Sequence, residues 1–208
     1  MEITSIVITL VILLFSVVLH ELCHGLVAER LGDNTARWAG RLTLNPIPHL
    51  DLFGSILLPL LLFAAGSPVI LGAAKPVPVN FMNLRNPKRD MALVSLAGPA
   101  ANFVIALACA LPIRLGLISA AMPGYEILLQ AVLMNLVLGA FNLIPIPPLD
   151  GSKVFASLLS DQAMYRILSM ERWGFVLIIL FLYLGLINLI LVPILRVLSQ
   201  LFLGFAVI

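Results

Sequence analysis

Two histidines with a glutamate between them carry the strongest chemical signal in this chain. In His20-Glu21-Leu22-Cys23-His24 the histidines are one helical turn apart, so both imidazoles lie on one helix face and can bind one metal ion. Glu21 follows the first imidazole directly and can reach a water molecule at that metal. The alternative is a buried histidine pair without a metal, which we disfavour because ionisable side chains are costly within an apolar helix.

A catalytic zinc site needs a third protein ligand, since zinc enzymes ordinarily supply three ligands and leave one position for water. The remaining histidine and the carboxylates near the apolar segments offer His49, Asp51, Glu29, Asp33, Asp90 and Asp150. We prefer Asp150 because the prolines before it end an apolar segment and leave irregular backbone, which a bilayer tolerates where it lines a cavity. His49 and Asp51 remain open, since the loop that carries them can approach the metal from the same side.

Composition places these residues in a membrane protein. The 208 residues are 62% hydrophobic and 11% charged, against about 45–50% and about 25% in soluble domains, and the mean hydropathy is +1.13. A net charge of +2 provides no basic surface for nucleic acid, and two cysteines cannot build a disulfide framework. A water-soluble globule, a nucleic-acid binder and a disulfide-stapled secreted fold are therefore excluded.

The uncharged stretches approach or exceed the roughly 17–25 residues that span a hydrocarbon core. They are Ile3–Leu19, Leu52–Ala74, Met91–Ile113, Ile127–Leu149 and Gly174–Leu195. We predict an all-α polytopic membrane protein with five to six membrane-inserted segments, the first continuing to Arg30. Residues 1–208 form one domain, with a core at about 5–160 and C-terminal helices at 173–207. Pro193 is expected to end the last long helix and leave a short one at Ile194–Ile208.

Lysine and arginine indicate the orientation, because they concentrate in cytoplasmic loops. If the first helix runs inward, ten of the twelve basic residues are cytoplasmic and only Arg114 and Arg196 lie outside. His20 precedes Arg30 by ten residues, which places the metal about 15 Å below the cytoplasmic boundary.

This orientation requires the chain to leave and regain the cytoplasmic side between Arg41 and Lys75. Leu52–Ala74 contains Gly54, Pro59, Gly66, Pro68 and Gly72, which are interruptions expected of a re-entrant helical hairpin. The alternative is an ordinary span that places residues 75–89 outside.

Three motifs together resemble the site-2 protease family of intramembrane zinc metalloproteases. They are His20-Glu21-x-x-His24, Gly98-Pro99-x-x-Asn102, and Asn142-x-x-Pro145 with Leu149-Asp150-Gly151. The chain is similar to the minimal prokaryotic branch, which has no inserted PDZ domain and no CBS domain. The resemblance implies that Asp150 is the third ligand of one zinc ion per chain. It also implies a cytoplasm-proximal site in a prokaryotic cell membrane, with transmembrane segments of other proteins as substrates.

The chemistry that these residues predict is peptide hydrolysis. Zinc held by His20, His24 and Asp150 polarises the scissile carbonyl, while Glu21 takes a proton from water and passes it to the leaving amine. A helical substrate must be extended before it is attacked, and a short strand at Arg41–Asn45 or Pro76–Asn80 is one way to hold it. The alternative is that both segments are plain loops.

Three further polar residues are candidates for binding substrate or for supporting the zinc ligands. They are Asn102, Asn142 and His49. For the two asparagines, bonding between helices that only holds the bundle together is the alternative.

Two other functions fit some of these features. A metal-ion transporter could bind its cargo through intramembrane His and Asp, but Ile6–Leu19 and Ile127–Val137 offer no continuous polar path. A membrane zinc peptidase that acts on lipidated termini is the other alternative. The expected partners are the lipid bilayer and transmembrane or membrane-associated protein substrates. Nucleic acid is not an expected partner.

Overall fold

The computed structural model describes residues 3–51 and 75–207, and the regular elements in these ranges are all helices. In chain order they are α1 (Ile3–Arg30), α2 (Thr35–Trp38), α3 (Pro87–Arg114), α4 (Tyr125–Asn142), α5 (Asp150–Ser157), α6 (Asp161–Ser169), α7 (Gly174–Tyr183) and α8 (Leu186–Leu203). Single-turn 3₁₀ helices occur at Ile47–His49, Phe81–Asn83 and Met170–Trp173.

Helices α1, α3, α4 and α8 are long and apolar enough to cross a membrane. Within their apolar windows only 17–33% of the residues are buried by the protein itself. The rest present large apolar side chains outward, such as Leu10 and Phe15 on α1. The chain is therefore a membrane protein, as its composition predicts.

Helix α3 lies at the centre of the bundle, in contact with α1, α4, α5 and α8. Ala106 and Ala110 of α3 are fully buried against Val132 and Leu136 of α4 and Leu195 of α8. Small residues allow close approach of membrane helices, where van der Waals packing drives association. This central position brings α3 against the histidine face of α1.

That face of α1 follows a four-residue spacing. Ser16, His20, His24 and Ala28 are all buried, and each is about one helical turn from the next. The helix ends at a turn in which Gly32 has a φ of 114°, a conformation that glycine adopts without strain. The periodicity of α1 therefore turns both imidazoles toward the protein interior.

The predicted strands are absent from the described residues. Both 41–45 and 76–80 are irregular, so that prediction is wrong. Pro76 and Pro78 have no N–H, while the N–H groups of Val77 and Asn80 donate to carboxylates of other segments rather than to a neighbouring strand.

The C-terminal break also lies elsewhere than predicted. Pro193 is inside α8, and the chain turns at Gly185, whose φ is 69°. Glycine in this left-handed conformation commonly ends a helix, whereas membrane helices tolerate proline when neighbouring packing compensates for the lost hydrogen bond.

The predicted hairpin Leu52–Ala74 lies outside the described residues and stays a prediction. Its flanks are nevertheless close together, since the Lys75 N–H donates to the His49 carbonyl at 2.9 Å. A segment that crosses the membrane once would separate its ends by about 30 Å. The described residues that flank this segment are therefore closer together than a single crossing would place them.

Candidate metal centre

The atoms of three side chains converge between α1 and the start of α5. The Nε2 atoms of His20 and His24 are 3.0 Å apart, and each lies 3.2 Å from Oδ2 of Asp150. Both histidines are buried and Asp150 is partly buried. Among the described residues, these three side chains are the ones whose ligand atoms lie close enough together to hold one metal ion.

Hydrogen bonds on the far side of each imidazole define which nitrogen faces the centre. His20 Nδ1 lies 2.6 Å from Oδ1 of Asn102, and His24 Nδ1 lies 2.7 Å from the Val94 carbonyl oxygen. Both oxygens are acceptors, so each Nδ1 carries the proton and each Nε2 presents its lone pair. A metal cation among these atoms would offset the repulsion between two nitrogen lone pairs and a carboxylate at this distance. This donor set fits zinc.

Gly98 of α3 leaves the space that such an ion requires. A Cβ atom at this position would overlap Nε2 of His24 and lie 2.5 Å from Nε2 of His20. Any other residue would therefore push the imidazoles away from Asp150.

A chain of buried amides supports His20 from behind. Asn102, fully buried, donates through Nδ2 to Oδ1 of Asn135 at 2.9 Å, and Asn135 donates to Oγ of Ser16 at 2.9 Å. Because its Nδ2 is engaged, the oxygen of Asn102 faces His20. Sequence reasoning missed Asn135 and Ser16. Their spacing in the sequence could have indicated them. Ser16 precedes His20 by four residues and Asn135 precedes Asn142 by seven, so each pair lies on one helix face.

Asp150 reaches the centre because the chain turns tightly before it. A Cβ at Gly151 would overlap the Leu143 carbonyl and lie 2.7 Å from the Ile144 oxygen. Ile144 and Leu149 are buried in this turn and pack against residues of α7 and α8. The C-terminal helices therefore hold the turn that aims the carboxylate.

A cleft of about 310 Å³ opens beside His20, His24 and Asp150. Besides the ligands its lining includes Glu21, Val77, Asn142, Lys153 and Glu171. Oε2 of Glu21 accepts a hydrogen bond of 2.7 Å from the Val77 N–H. Lys153 and Glu171 form an ion pair of 3.4 Å. The cleft thus joins the candidate metal ligands, an acidic group and backbone in one cavity.

The other two predicted site residues differ in position. Asn142 lines the cleft, and its amide donates to the Leu138 carbonyl of its own helix at 3.0 Å. His49 is 1% exposed and bonds through Nε2 to the Thr43 carbonyl at 3.0 Å. The structure does not bring His49 into the metal-ligand group.

The other carboxylates that the sequence offered as the third metal ligand are outside the group of His20, His24 and Asp150. Glu29 pairs with Arg37, and Asp90 accepts a hydrogen bond of 2.9 Å from the Asn86 N–H at the start of α3. Asp33 accepts hydrogen bonds from Thr35, Asn80 and Asn83. Asp51 is half-buried beside the undescribed segment and is outside the metal-ligand group.

The Asp33 carboxylate lies outside the membrane-length helices and is buried. Burial alone would raise its pKa, but the hydrogen bonds from Thr35, Asn83 and Asn80 outweigh that cost and hold the pKa below the usual value.

Comparison with known proteins identifies relatives of this chain. The YwhC protein of Bacillus subtilis is 38% identical over 177 residues, which are 82% of this chain and 76% of YwhC. The Rip2 protein of Mycolicibacterium smegmatis is 32% identical over 81% of this chain and 64% of its own length. Both are provisionally named zinc metalloproteases. The zinc metalloprotease MJ0392 of Methanocaldococcus jannaschii is 30% identical over 75% of this chain and 36% of its own length.

No solved structure matches the chain. The chain spans less than two thirds of Rip2 and about a third of MJ0392. The names of these relatives and the donor set of His20, His24 and Asp150 agree on zinc as the metal. The profile of peptidase family M50 matches residues 8–119 and 118–186. The chain therefore belongs to peptidase family M50, as its likeness to the site-2 proteases predicts.

Proposed function

We propose that this protein is an intramembrane zinc metalloprotease that hydrolyses peptide bonds within or near transmembrane segments of membrane proteins. One observation carries the proposal. The His20, His24 and Asp150 cluster shares a cleft with Glu21, and three helices long and apolar enough to cross a membrane, α1, α3 and α4, contribute to the lining of this cleft. A metal transporter is not favoured, since the named relatives are metalloproteases.

The residues divide the work of peptide hydrolysis. His20, His24 and Asp150 hold zinc, which when bound supplies Lewis acidity toward water and the scissile carbonyl. Oε2 of Glu21 is held by the Val77 N–H. Its second oxygen, which accepts no hydrogen bond from any residue in 3–51 or 75–207, takes the proton of the attacking water and returns it to the leaving amine. Asn102 keeps His20 in the tautomer that binds metal.

The site lies toward the cytoplasm at a depth of about 15 Å, from the ten residues of continuous helix between His20 and Arg30. Two contacts support placing the basic clusters on one side of the membrane. The Arg85 N–H donates to the Leu31 carbonyl at 3.1 Å, and Lys88 pairs with Asp161 at 3.1 Å. The end of α1 and the starts of α3 and α6 therefore share one face of the bundle, as the charge count requires. The membrane is that of a prokaryotic cell.

Replacement of Glu21 by Gln tests the proposal. The variant keeps size and polarity but loses the base, so we expect about one zinc per purified chain and loss of cleavage by orders of magnitude. Glu126→Gln, an exposed carboxylate at the start of α4, is the matched control. Proteomics of membrane fragments in cells with each variant measures cleavage. Near-normal fragment levels with Glu21→Gln would contradict the proposal.

A further inference from the structure

Residues 75–80, here called the strap, run along the cleft as irregular backbone. Pro76, Val77 and Val79 of the strap line the cavity. The two prolines have restricted φ angles and no N–H, so the strap has few donors for regular pairing. Polar side chains from other segments hold it instead.

Arg41 provides the first of these contacts. Its side chain is buried, with 6% of the residue exposed. Nη2 donates to the carbonyl oxygens of Lys75 at 2.6 Å and Pro76 at 3.3 Å. A buried guanidinium needs such acceptors, and its donors have a rigid planar geometry. Arg41 therefore fixes the first carbonyl groups of the strap.

Glu21 binds the same peptide group from the other side. The Pro76 carbonyl and the Val77 N–H belong to one planar trans unit, so they point in opposite directions. Arg41 binds the oxygen of this unit and Oε2 of Glu21 accepts its hydrogen at 2.7 Å. Hydrogen bonds arranged in such a chain polarise one another. One rigid group therefore connects the guanidinium to the carboxylate.

We propose that Arg41 is a positioning residue that sets the orientation of Glu21 through the Pro76–Val77 peptide group. This inference rests on the proposed function, in which Glu21 is the base. The Val77 contact occupies Oε2 of Glu21, which lines the cleft, and leaves the other carboxylate oxygen free of that contact. Without Arg41 the peptide group can rotate, and Glu21 gains side-chain conformations in which its free oxygen is misplaced. Small misplacements of a catalytic group cost large factors in rate.

Hydrogen exchange at the Val77 amide tests the coupling without any substrate. Val77 lies between two prolines, so its amide is the one exchangeable backbone site in 76–78 and can be resolved by overlapping fragments of the full-length protein. We expect Arg41→Ala to accelerate its exchange about tenfold or more and Arg41→Lys to accelerate it less. Arg37→Ala, at an exposed arginine of α2, is the control and should change nothing.

A double-mutant cycle then asks whether both side chains act on one group. Glu21→Ala, which removes the acceptor of the Val77 N–H, should also accelerate Val77 exchange, and adding Arg41→Ala should give less than the product of the two single effects. Unchanged Val77 exchange in Arg41→Ala, or effects that simply multiply, would overturn the proposal. If Arg41→Ala does not fold, Arg41→Lys takes its place in the cycle.

Steady-state kinetics distinguish a positioning role of Arg41 from a purely structural one. The probe is an internally quenched peptide with a 20-residue Leu/Ala-rich segment. Arg41→Ala should lower kcat about tenfold or more, with KM and zinc content near wild type, and Arg41→Lys should recover part of kcat. Loss of zinc, or a rise in KM alone, would overturn the positioning role. Zinc-loaded wild type that matches Glu21→Gln on this probe would count against the proposed function, and exchange at Val77 would still decide the role of Arg41.

Discussion

Asn102 accepts a hydrogen bond of 2.6 Å from His20, across the interface between α3 and α1. The amide of Asn102 donates onward to Asn135, so its oxygen faces the imidazole. The far nitrogen of His20 is thereby left without a proton and directed toward His24 and Asp150.

Replacing Asn102 by Ala should weaken zinc binding by about 10–100-fold, because the acceptor that holds the His20 ring and its tautomer is lost. Zinc retention during titration with a chelator measures the effect. Asn142→Ala is the control, since that amide binds a carbonyl of its own helix. Equal retention by the two variants would remove Asn102 from the support of the metal.

Gly98→Ala should abolish zinc binding while the bundle stays folded. The added methyl group would lie among the two Nε2 atoms, and the backbone of α3 cannot retreat without disturbing its packing against α1 and α4. Zinc content and circular dichroism of the purified variant are measured together. Ala100→Ser, at an exposed position of the same helix, should retain full zinc. Full zinc in Gly98→Ala would show that the metal lies elsewhere.

Asp150→Asn should release zinc and abolish cleavage, since an amide oxygen is a poor substitute for a charged carboxylate ligand. His49→Ala should keep zinc, because His49 is bonded to Thr43 outside the ligand group. Both variants are challenged with the same chelator. We would abandon Asp150 as a ligand if the first variant kept its zinc and the second lost it.

Asp33 should give the protein a stability that declines in acid. Its folded pKa is lowered, so the stabilisation is fully present above the unfolded pKa of about 3.9 and is lost as pH falls through the folded pKa. Asp33→Asn should therefore destabilise the protein by about 1–3 kcal/mol at pH 7 and by progressively less below about pH 4. Thermal unfolding at several pH values measures this difference.

The control for this prediction is Asp161→Asn, because the Asp161 side chain is exposed and pairs with Lys88 at the surface. This variant should change stability little at any pH. A destabilisation by Asp33→Asn that grew as the pH fell would contradict the assignment.

Cysteine labelling tests the orientation. In a variant without Cys23 and Cys109, we expect cysteines at positions 37, 88 and 166 to react with a membrane-impermeant reagent from the cytoplasmic side. A cysteine at position 126, at the start of α4, should react from outside. Labelling of position 88 from outside would turn residues 52–74 into a full span and reverse our assignment.

Part of the metal centre could be predicted from the sequence because it depends on short-range geometry. His20 and His24 share a face in any α-helix, and apolar length alone indicates which segments enter a bilayer. The prolines before Asp150 favour it as the third ligand, but the sequence alone leaves His49 and Asp51 as alternatives. These residues predict zinc as the cofactor, and the resemblance of the three motifs to the site-2 proteases predicts the family; the comparisons confirm both.

Contacts between distant segments were decided by the tertiary structure. Asn135 and Ser16 form one network with Asn102 only because α1, α3 and α4 meet at that depth. Arg41, which the sequence places among the cytoplasmic charges, is buried and binds the strap. The Val77 and Asn80 N–H groups of the strap donate to carboxylates rather than to a strand partner. Local pattern shows which groups a segment offers, whereas packing determines which of them meet. A buried polar group must find its partner wherever the fold places one.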